Sequence, residues 1–241
     1  MRTRPARQPA GPWLALDTAT SRAVVAVDRA GDRPVASSWQ AGRQHGETLL
    51  PAIDRLLREV GVARGDLAAI IVGTGPGAFT GLRVGLATAK TMAHELGCPI
   101  VGIPTAVALA AAVGGRVASG SVTVVQPAGP HDRYVTSVRL YPVPTADTPR
   151  LVVSGEPLGV TAGSTIVAVD LAASAAGITP AMVERGREAL VGLGPALLSV
   201  GGAVLTAGRR DDVAALVPLY VSLPRGVPEA VGALAWSPDL P

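Results

Sequence analysis

The sequence is poor in the residues that build disulfide frameworks, cysteine metal clusters and aromatic stacking surfaces. Its 241 residues include one cysteine, Cys98, so a disulfide within the chain and a multi-cysteine metal site are both excluded. It has only one phenylalanine, three tyrosines and three tryptophans, which counts against a surface that stacks on single-stranded bases. The core must therefore be built from alanine, valine, leucine and isoleucine.

A strong charge of either sign is also missing. The formal net charge is +3, and lysine occurs once, at Lys90, so arginine supplies nearly all of the positive charge. The one local basic bias is the leader 1–12, where arginines alternate with prolines, and this composition predicts a disordered segment. A nucleic-acid-binding module stays open as a hypothesis if folding gathers the scattered arginines, which are Arg43, Arg55, Arg58 and Arg83.

Long hydrophobic runs are scarce as well. The basic leader is followed by "WLALDTAT" rather than by the long apolar segment of a signal peptide. The stretch "IPTAVALAAAVGG" is too short and too rich in glycine to span a bilayer. A single cysteine also suits a reducing compartment. The sequence therefore predicts a cytoplasmic protein with no membrane partner.

The first half shows a clear alternation of strand and helix patterns. Residues 13–30 predict a hairpin of buried strands and residues 34–40 a third strand. Helical spacing follows at 44–60, 80–96 and 105–113, with short apolar strands before the second and third helices, at 67–73 and 99–104. Three strands followed by alternating helices and strands predict a mixed sheet with helices packed on it.

The second half is less regular. It predicts three strands, two separate helices at 179–190 and 195–208, and a closing strand or extended tail at 217–226. The stretch "GGRVASGS" is typical of a linker. We therefore expect an N-terminal α/β lobe at 13–115 and a C-terminal α/β lobe at 116–241.

The stretch "GTGPGAFTGLRVG" begins at Gly73 and ends at Gly85. It has no Gly-Lys pair, so it is not a Walker A loop, and its glycines do not fit G-x-G-x-x-G. A strand that ends in glycines before a helix nevertheless presents backbone amides that suit an anion. Thr80 is the predicted N-cap of that helix.

Small residues also recur every four positions along this helix, in the stripe Gly77, Gly81, Gly85, Ala89 and Ala93. Each helical glycine costs roughly 1 kcal/mol against alanine, so a close approach of another backbone is expected to offset that cost. The stripe packs either on the protein's own sheet or on a helix of another chain. The spacing alone does not separate these two interpretations.

Three segments, "LALDTAT", "RQHGETLLPAIDRLL" and "GTGPGAFTGLRVGLATAKTMAHELGCPIVGIPT", together resemble the TsaB (YeaZ) family. They cover most of residues 13–110, and "LVPLYVSLPRG" is similar to a C-terminal Pro-x-Tyr segment of the family. Members are subunits of the bacterial machinery that makes threonylcarbamoyladenosine at position 37 of tRNA. The resemblance implies an actin-like ATPase (ribonuclease H-like) fold, with two lobes of mixed sheets flanked by helices.

The resemblance also implies a partner, TsaD, which transfers the threonylcarbamoyl group. TsaD-like proteins carry two metal-binding histidines in the segment that corresponds here to "IPTAVALAAA", which contains no histidine and no carboxylate. The implied role is a non-catalytic subunit, without catalytic residues or a metal site, that scaffolds and activates TsaD. Contacts with TsaE and tRNA are expected through the complex, and a homodimer when TsaD is missing.

The two helices at 44–60 and 80–96 are expected to pack against TsaD. The residues proposed to face the partner are Leu49, Ile53, Leu57, Gly77, Gly81, Gly85 and Ala89.

A nucleotide site is the second possibility that the resemblance raises. In actin-like ATPases an acidic residue and hydroxyls at the end of the first strand contact metal-bound phosphate, and the matching candidates are Asp17, Thr18, Thr20, Gly75 and Gly77. The alternative is turn chemistry, in which Asp and Thr bind the backbone. No cofactor is expected, although weak ATP or ADP binding stays open. The alternative function is a stand-alone actin-like ATP-dependent kinase or phosphotransferase.

One segment departs from the family pattern. Relatives typically carry an Asp-Ala-Arg turn before a strand, whereas this chain has "QPAGPHDRYV", with Gln126 in the place of the aspartate. The role of segment 126–134 is therefore left open.

Overall fold

A computed structural model of the chain describes residues 11–29, 33–40, 45–117 and 120–221. The predicted leader lies outside these residues except for its last two positions, Gly11 and Pro12. The described chain forms two sheets with helices on both sides of the first.

The first sheet is built from the N-terminal half, in the predicted order of elements. Its strands run β3-β2-β1-β4-β5 across the sheet. The β1–β2 pair is antiparallel, whereas β4 lies parallel to β1 and β5 parallel to β4. The central strands read as continuous apolar runs because helices cover both faces. The strands are β1 (Trp13–Asp17), β2 (Arg22–Asp28), β3 (Val35–Gln40), β4 (Ala69–Gly73) and β5 (Ile100–Ile103).

Helices α1 (His45–Glu59) and α2 (Phe79–Leu96) cover one face of this sheet. Their apolar side chains form one core cluster with residues of β1, β2 and β4. Helix α2 ends at Gly97, which adopts the left-handed conformation that glycine tolerates best. The prediction that Thr80 caps α2 is wrong. The helix begins at Phe79, two residues before the start that a Thr80 cap implies, so the N-cap is Ala78 and no side chain caps it.

Helices α3 (Thr105–Val113) and α4 (Pro180–Thr206) lie between the two sheets and pack on each other. The sequence predicted two helices where α4 is one continuous helix of 27 residues with Pro195 in its interior. Proline removes one backbone donor, yet contacts with both sheets hold the helix together around it. Helix α4 is long and apolar enough to cross a bilayer, but 56% of its most apolar window is buried inside the protein, as in a core helix.

The second sheet is built from the C-terminal half, in the order β10-β6-β7-β8, with β9 also paired to β7. Its inner face joins the core between the sheets, and its outer face has a separate apolar cluster. The predicted closing strand is not found at 217–221, and its remaining residues lie outside the described ranges. The strands are β6 (Ser121–Pro127), β7 (Arg133–Arg139), β8 (Thr145–Ala146), β9 (Arg150–Val152) and β10 (Thr165–Ala168).

The strands of the two sheets come from the two halves of the chain, on either side of 114–120. Helix α4, however, comes from the second half and packs on the first sheet, where Gly194 meets Ala26 and Ala36. The two lobes therefore share one continuous core.

Candidate functional site

A cleft of about 710 Å³ lies between the lobes, at the carboxyl ends of strands from both sheets. Its lining comes mainly from the segments after β1, β4, β6 and β10, from the start of α2 and from the strands β3, β6, β7 and β9. Residues 219–221 close one side. Ligands of open α/β folds bind at this edge, because loops from several strands converge there. The cleft is therefore the candidate site of this protein.

Asp17 ends β1 behind this cleft and is fully buried. Its Oδ1 accepts a hydrogen bond from the amide of Ala19 at 2.7 Å, and its Oδ2 accepts one from Thr105 Oγ1 at 2.6 Å. Thr105 Oγ1 in turn accepts a hydrogen bond from the amide of Gly75 at 3.0 Å. Burial raises the pKa of Asp17 to about 6, and the two hydrogen bonds only partly oppose that shift.

The first glycine of the glycine stretch makes room for this carboxylate. A Cβ atom on Gly73 would overlap the carboxylate of Asp17, so no larger residue fits there without movement. Gly77 has a similar role, because a Cβ atom there would overlap the carbonyl of Ala19. The carbonyl oxygen of Ala19 accepts a hydrogen bond from the amide of Ala78 at 2.8 Å. These glycines bring α2 close to the turn after β1.

The five candidate nucleotide ligands do come together at this edge, but the side-chain oxygens of Asp17, Thr18 and Thr20 are hydrogen-bonded to other residues of the chain. Thr18 Oγ1 donates to the carbonyl of Gly81 at 2.7 Å, and Thr20 Oγ1 donates to the carbonyl of Arg22 at 2.8 Å. Of the five, Thr20 and Gly77 line the cleft. The arrangement matches the turn-chemistry interpretation of this segment.

The small-residue stripe of α2 faces β1 of the same chain. A Cβ atom on Gly85 would overlap Thr18 Oγ1, while Gly81 accepts the hydrogen bond of that hydroxyl. Ala89 is fully buried. The structure therefore shows packing on the protein's own sheet, one of the two interpretations of the spacing.

The other residues predicted to face a partner are covered in the same way. Leu49, Ile53 and Leu57 are 1%, 0% and 3% exposed, because α1 turns this face toward the sheet. The sheet therefore covers these three side chains in the isolated chain, and their contact with a partner stays a prediction. A protein that docks on α1 and α2 meets the outer positions of these helices, such as Leu50 and Ala87.

Ser21, Gln126 and Asp170 join the lobes across the cleft, and of these the sequence singled out only Gln126, as a departure from the family pattern. Asp170 accepts hydrogen bonds from both the amide (2.7 Å) and the hydroxyl of Ser21. Gln126 donates from Nε2 to the carbonyl of Pro76 at 3.1 Å. Asp170 is also the one non-glycine residue of the described chain with positive φ, at 56°. One sequence feature could have indicated Asp170. It directly follows the apolar strand pattern "TIVAV", just as Asp17 directly follows the apolar strand pattern "LAL".

The C-terminal segment returns to the glycine stretch and lies against the start of α2. The amide of Leu219 donates to the carbonyl of Thr74 at 2.8 Å. The ring of Tyr220 lies 5.2 Å from that of Phe79, and the guanidinium of Arg83 lies 4.1 Å from the Phe79 ring. Arg83 Nε also donates to the hydroxyl of Tyr220 at 3.2 Å. The "VPLY" motif was the only sequence signal for this contact.

The remaining predictions concern metals and basic residues. Within the described ranges, no group of three or more His, Cys, Asp or Glu residues could hold a metal ion. Arg55 and Arg58 are exposed on α1 and Arg83 on α2, whereas Arg43 lies outside the described residues.

Comparisons with known proteins connect this geometry to a family. Residues 39–137 match the family model described as TsaD, tRNA N6-adenosine threonylcarbamoyltransferase. The curated protein TsaB of Haemophilus influenzae is 36% identical over 99 residues, which are 41% of this chain and 42% of that protein. TsaB of Bacillus subtilis is 34% identical over 98 residues, 41% of this chain and 43% of that protein.

The matched segments thus span less than half the length of these curated relatives. In contrast, the structure of YeaZ from Pseudomonas aeruginosa aligns over 87% of this chain and 99% of its own, with a TM-score of 0.67 and 24% identity. At this identity the likeness concerns the fold. It confirms the predicted class, two lobes of mixed sheets flanked by helices.

Proposed function

Because the chain belongs to the TsaB (YeaZ) family, we propose that it is a non-catalytic cytoplasmic subunit of the machinery that makes threonylcarbamoyladenosine in tRNA. Its partner would be the transferase TsaD, which it holds in an active arrangement. The names of the curated TsaB relatives support the pathway, and the match of residues 39–137 to a TsaD family model supports kinship with the partner.

The observation that carries this proposal is the packing at the start of α3. TsaD-like proteins are expected to place two metal-binding histidines in this segment, where Thr105 and Ala106 are fully buried here. The hydroxyl of Thr105 is committed to Asp17 and Gly75. This segment holds the glycine loop in place instead of presenting ligands, which suits a subunit that supports the chemistry of another chain.

The outer faces of α1 and α2 would form the docking surface for TsaD. Leu50 is 46% exposed on α1, although the helix buries its other leucines against the sheet. Ala87 and Thr91 are exposed on α2, and α1 packs beside α2. A surface with an apolar centre and small neighbours permits close approach of another helix. In the absence of TsaD the same surface would pair two copies of this chain.

TsaE and tRNA would be reached through the complex. Arg55, Arg58 and Arg83 are exposed on these two helices, so they would extend a basic surface beside the docked transferase. Their number is small, which suits an accessory contribution to tRNA binding.

The experiment compares Leu50→Glu with Val191→Glu, a matched change at a position 80% exposed on α4. Each variant is mixed with TsaD of the same organism and examined by size-exclusion chromatography and by a tRNA modification assay. Leu50→Glu should weaken the complex at least tenfold and lower modification in parallel, whereas Val191→Glu should change neither.

Two results would contradict the proposal at different levels. An unchanged complex with Leu50→Glu would mean that the docking surface lies elsewhere. Modification by TsaD that does not depend on the chain, or magnesium-dependent turnover of ATP and a small molecule by the chain alone, would favour the kinase or phosphotransferase alternative.

A further inference from the structure

We propose that the groove between the edge strand β3 and helix α1 binds an extended segment of a partner protein as an added strand of the first sheet. The segment places an apolar side chain in the groove and a lysine or arginine beside Glu47. Leu50, the proposed docking residue for TsaD, does not line this groove. The groove is therefore a second surface, and its ligand does not depend on the complex with TsaD.

Strand β3 forms an open edge of the first sheet. It pairs with β2 on one side, and within the described residues no strand pairs with its other side. In an antiparallel edge strand alternate residues direct their N–H and C=O groups away from the sheet, so about three of its six residues can pair further. The carbonyl of Ser38 accepts a hydrogen bond from Arg22 Nη2 at 3.2 Å, but a carbonyl oxygen has two acceptor sites. The edge is thus able to receive another strand.

The other sheet edges are covered or short. At the opposite edge of the first sheet, the amide of Asp211 donates to the carbonyl of Ile100 at 2.9 Å, and its Oδ2 accepts a hydrogen bond from the amide of Gly102 at 2.7 Å. In the second sheet β8, β9 and β10 have two, three and four residues. Strand β3 has six, and contains no proline, lysine or arginine to block pairing. Since proteins usually protect their edges, a long unprotected edge indicates that a partner strand pairs there.

The groove beside this edge has a volume of about 360 Å³. Its apolar lining comes from Trp39 of β3 and from Pro51, Ala52 and Leu56 of α1. The indole Nε1 of Trp39 donates to Thr48 Oγ1 at 3.1 Å, which fixes the ring although it is only half-buried. A strand added to β3 would lie about 4.8 Å from it and direct alternate side chains toward α1. One of these side chains would enter the groove and cover the Trp39 ring.

The charges of the groove favour a basic residue next to this apolar side chain. Among the described lining residues Glu47 and Glu59 are acidic and Arg55 is basic. Arg55 and Glu59 lie one turn apart on α1 and offset each other, whereas Glu47 lies about 12 Å from Arg55 along the helix axis. Glu47 precedes Pro51 by about 6 Å along that axis, and side chains on one face of a strand are about 7 Å apart. An apolar residue over Pro51 therefore places the side chain two positions away beside Glu47.

The experiment measures binding of a labelled peptide, acetyl-Thr-Lys-Thr-Val-Thr-Thr-amide, to the full chain by fluorescence anisotropy. Its lysine and valine share one face of an extended strand. The peptide should bind at sub-millimolar concentration, and the same peptide with glutamate in place of lysine should bind at least fivefold more weakly. Glu47→Lys should reverse this preference, whereas Glu156→Lys, at an exposed position outside the groove lining, should keep it.

Two further measurements test the groove and the backbone pairing separately. Ala52→Phe fills the groove and should weaken peptide binding at least fivefold, whereas Ala203→Phe, at an exposed position on α4, should not. Saturating peptide should slow amide hydrogen exchange at least fivefold at alternate residues of Val35–Gln40 and leave β7 unchanged. Thermal melting shows whether each variant keeps the fold. The exchanged peptide and Glu47→Lys, an exposed position, keep the test decisive if Ala52→Phe does not.

Three results would overturn the proposal. They are failure of the natural chain to bind the lysine peptide at millimolar concentration, an unchanged preference in Glu47→Lys, and binding without protection of β3. Sedimentation of the chain alone tests a competing occupant. A dimer that Ala52→Phe dissociates and Leu50→Glu does not would mean that a second copy fills the groove, which also contradicts the proposal. TsaD takes no part in these measurements, so their failure leaves the proposed function untouched.

Discussion

The hydroxyl of Thr105 donates a 2.6 Å hydrogen bond to the carboxylate of Asp17, although 88 residues separate them in the chain. Both side chains are fully buried. Thr105 is the first residue of α3 and Asp17 the last of β1, so this contact ties the helix between the sheets to the central strand. The amide of Gly75 donates to the same hydroxyl, and the glycine loop is thereby fixed between them.

The first prediction concerns the pH dependence of stability. Because the pKa of Asp17 is raised to about 6 in the folded chain, its contribution is fully present at low pH and is lost as pH rises through 6. Between pH 5 and pH 8, the free energy of unfolding should fall by about 1 kcal/mol from this group alone. Asp17→Asn removes the titration, so the variant should gain stability relative to the natural chain as pH rises.

Denaturant unfolding of both proteins at several pH values measures this difference. Asp147→Asn, at an exposed position, is the matched control and should follow the natural chain. A constant gap between the natural chain and Asp17→Asn from pH 5 to pH 8 would mean that Asp17 does not titrate in this range.

The second prediction concerns the glycine stripe. Alanine at position 85 would gain up to about 1 kcal/mol of helix propensity. Its Cβ would, however, overlap the Thr18 hydroxyl that bonds to Gly81. Overpacking and loss of a buried hydrogen bond together cost roughly 2–4 kcal/mol, so Gly85→Ala should destabilise the isolated chain.

Gly46→Ala is the control for this change, because Gly46 also lies in a helix and a Cβ there meets nothing within 4 Å. It should be neutral or slightly stabilising. A Gly85→Ala chain as stable as the natural one, yet defective in complex formation, would restore the partner interpretation of the stripe.

The third prediction concerns the contact between α4 and β10. A Cβ atom on Gly186 would overlap the carbonyl of Ala168. Gly186→Ala should push the first turns of α4 away from the second sheet and lower the free energy of unfolding by roughly 2–3 kcal/mol. Thermal unfolding of this variant beside Gly46→Ala tests the prediction, and equal melting temperatures would contradict it.

The fourth prediction concerns the only lysine. Lys90 Nζ donates to the carbonyls of Ala214 and Leu216 at 3.1 and 3.0 Å, and so attaches the C-terminal segment to α2. Lys90→Met keeps the aliphatic stem but loses both bonds, each worth about 1.5 kcal/mol or more for a charged donor. Amide hydrogen exchange at 213–220 should become at least fivefold faster. Exchange should not change with Arg55→Met, an exposed position on α1.

The helices and strands of the first half were predictable because each has its own hydrophobic periodicity and is bounded by residues, such as glycine and proline, that end helices and strands. Helix α3 occupies the predicted range, and α2 ends before Gly97 as the glycine and the following Pro99 indicate. Helix α4 was divided in the prediction because Pro195 ends helices in isolation. Its burial between two sheets, which no local pattern reports, keeps it continuous.

The candidate site was only partly predictable, for a related reason. The glycine stretch and Asp17 stand out locally, so the sequence indicated the right edge of the sheet. Gln126, Ser21 and Asp170 become part of the site only because the second lobe folds back across the cleft. The hydrogen bonds from Gln126 to Pro76 and from Ser21 to Asp170 join residues 50 and 149 positions apart. Contacts at such separations produce no periodic pattern in the sequence.

The sequence by itself determined the kind of elements, their order in the first half and the resemblance to a family, since each follows from local spacing and residue type. Only the tertiary structure decided which way the helices face. The stripe on α2 has the same spacing whether its neighbour is a strand of the same chain or a helix of another. Contact with Thr18 assigns it to the chain's own sheet, because a side chain there would occupy the space of that hydroxyl.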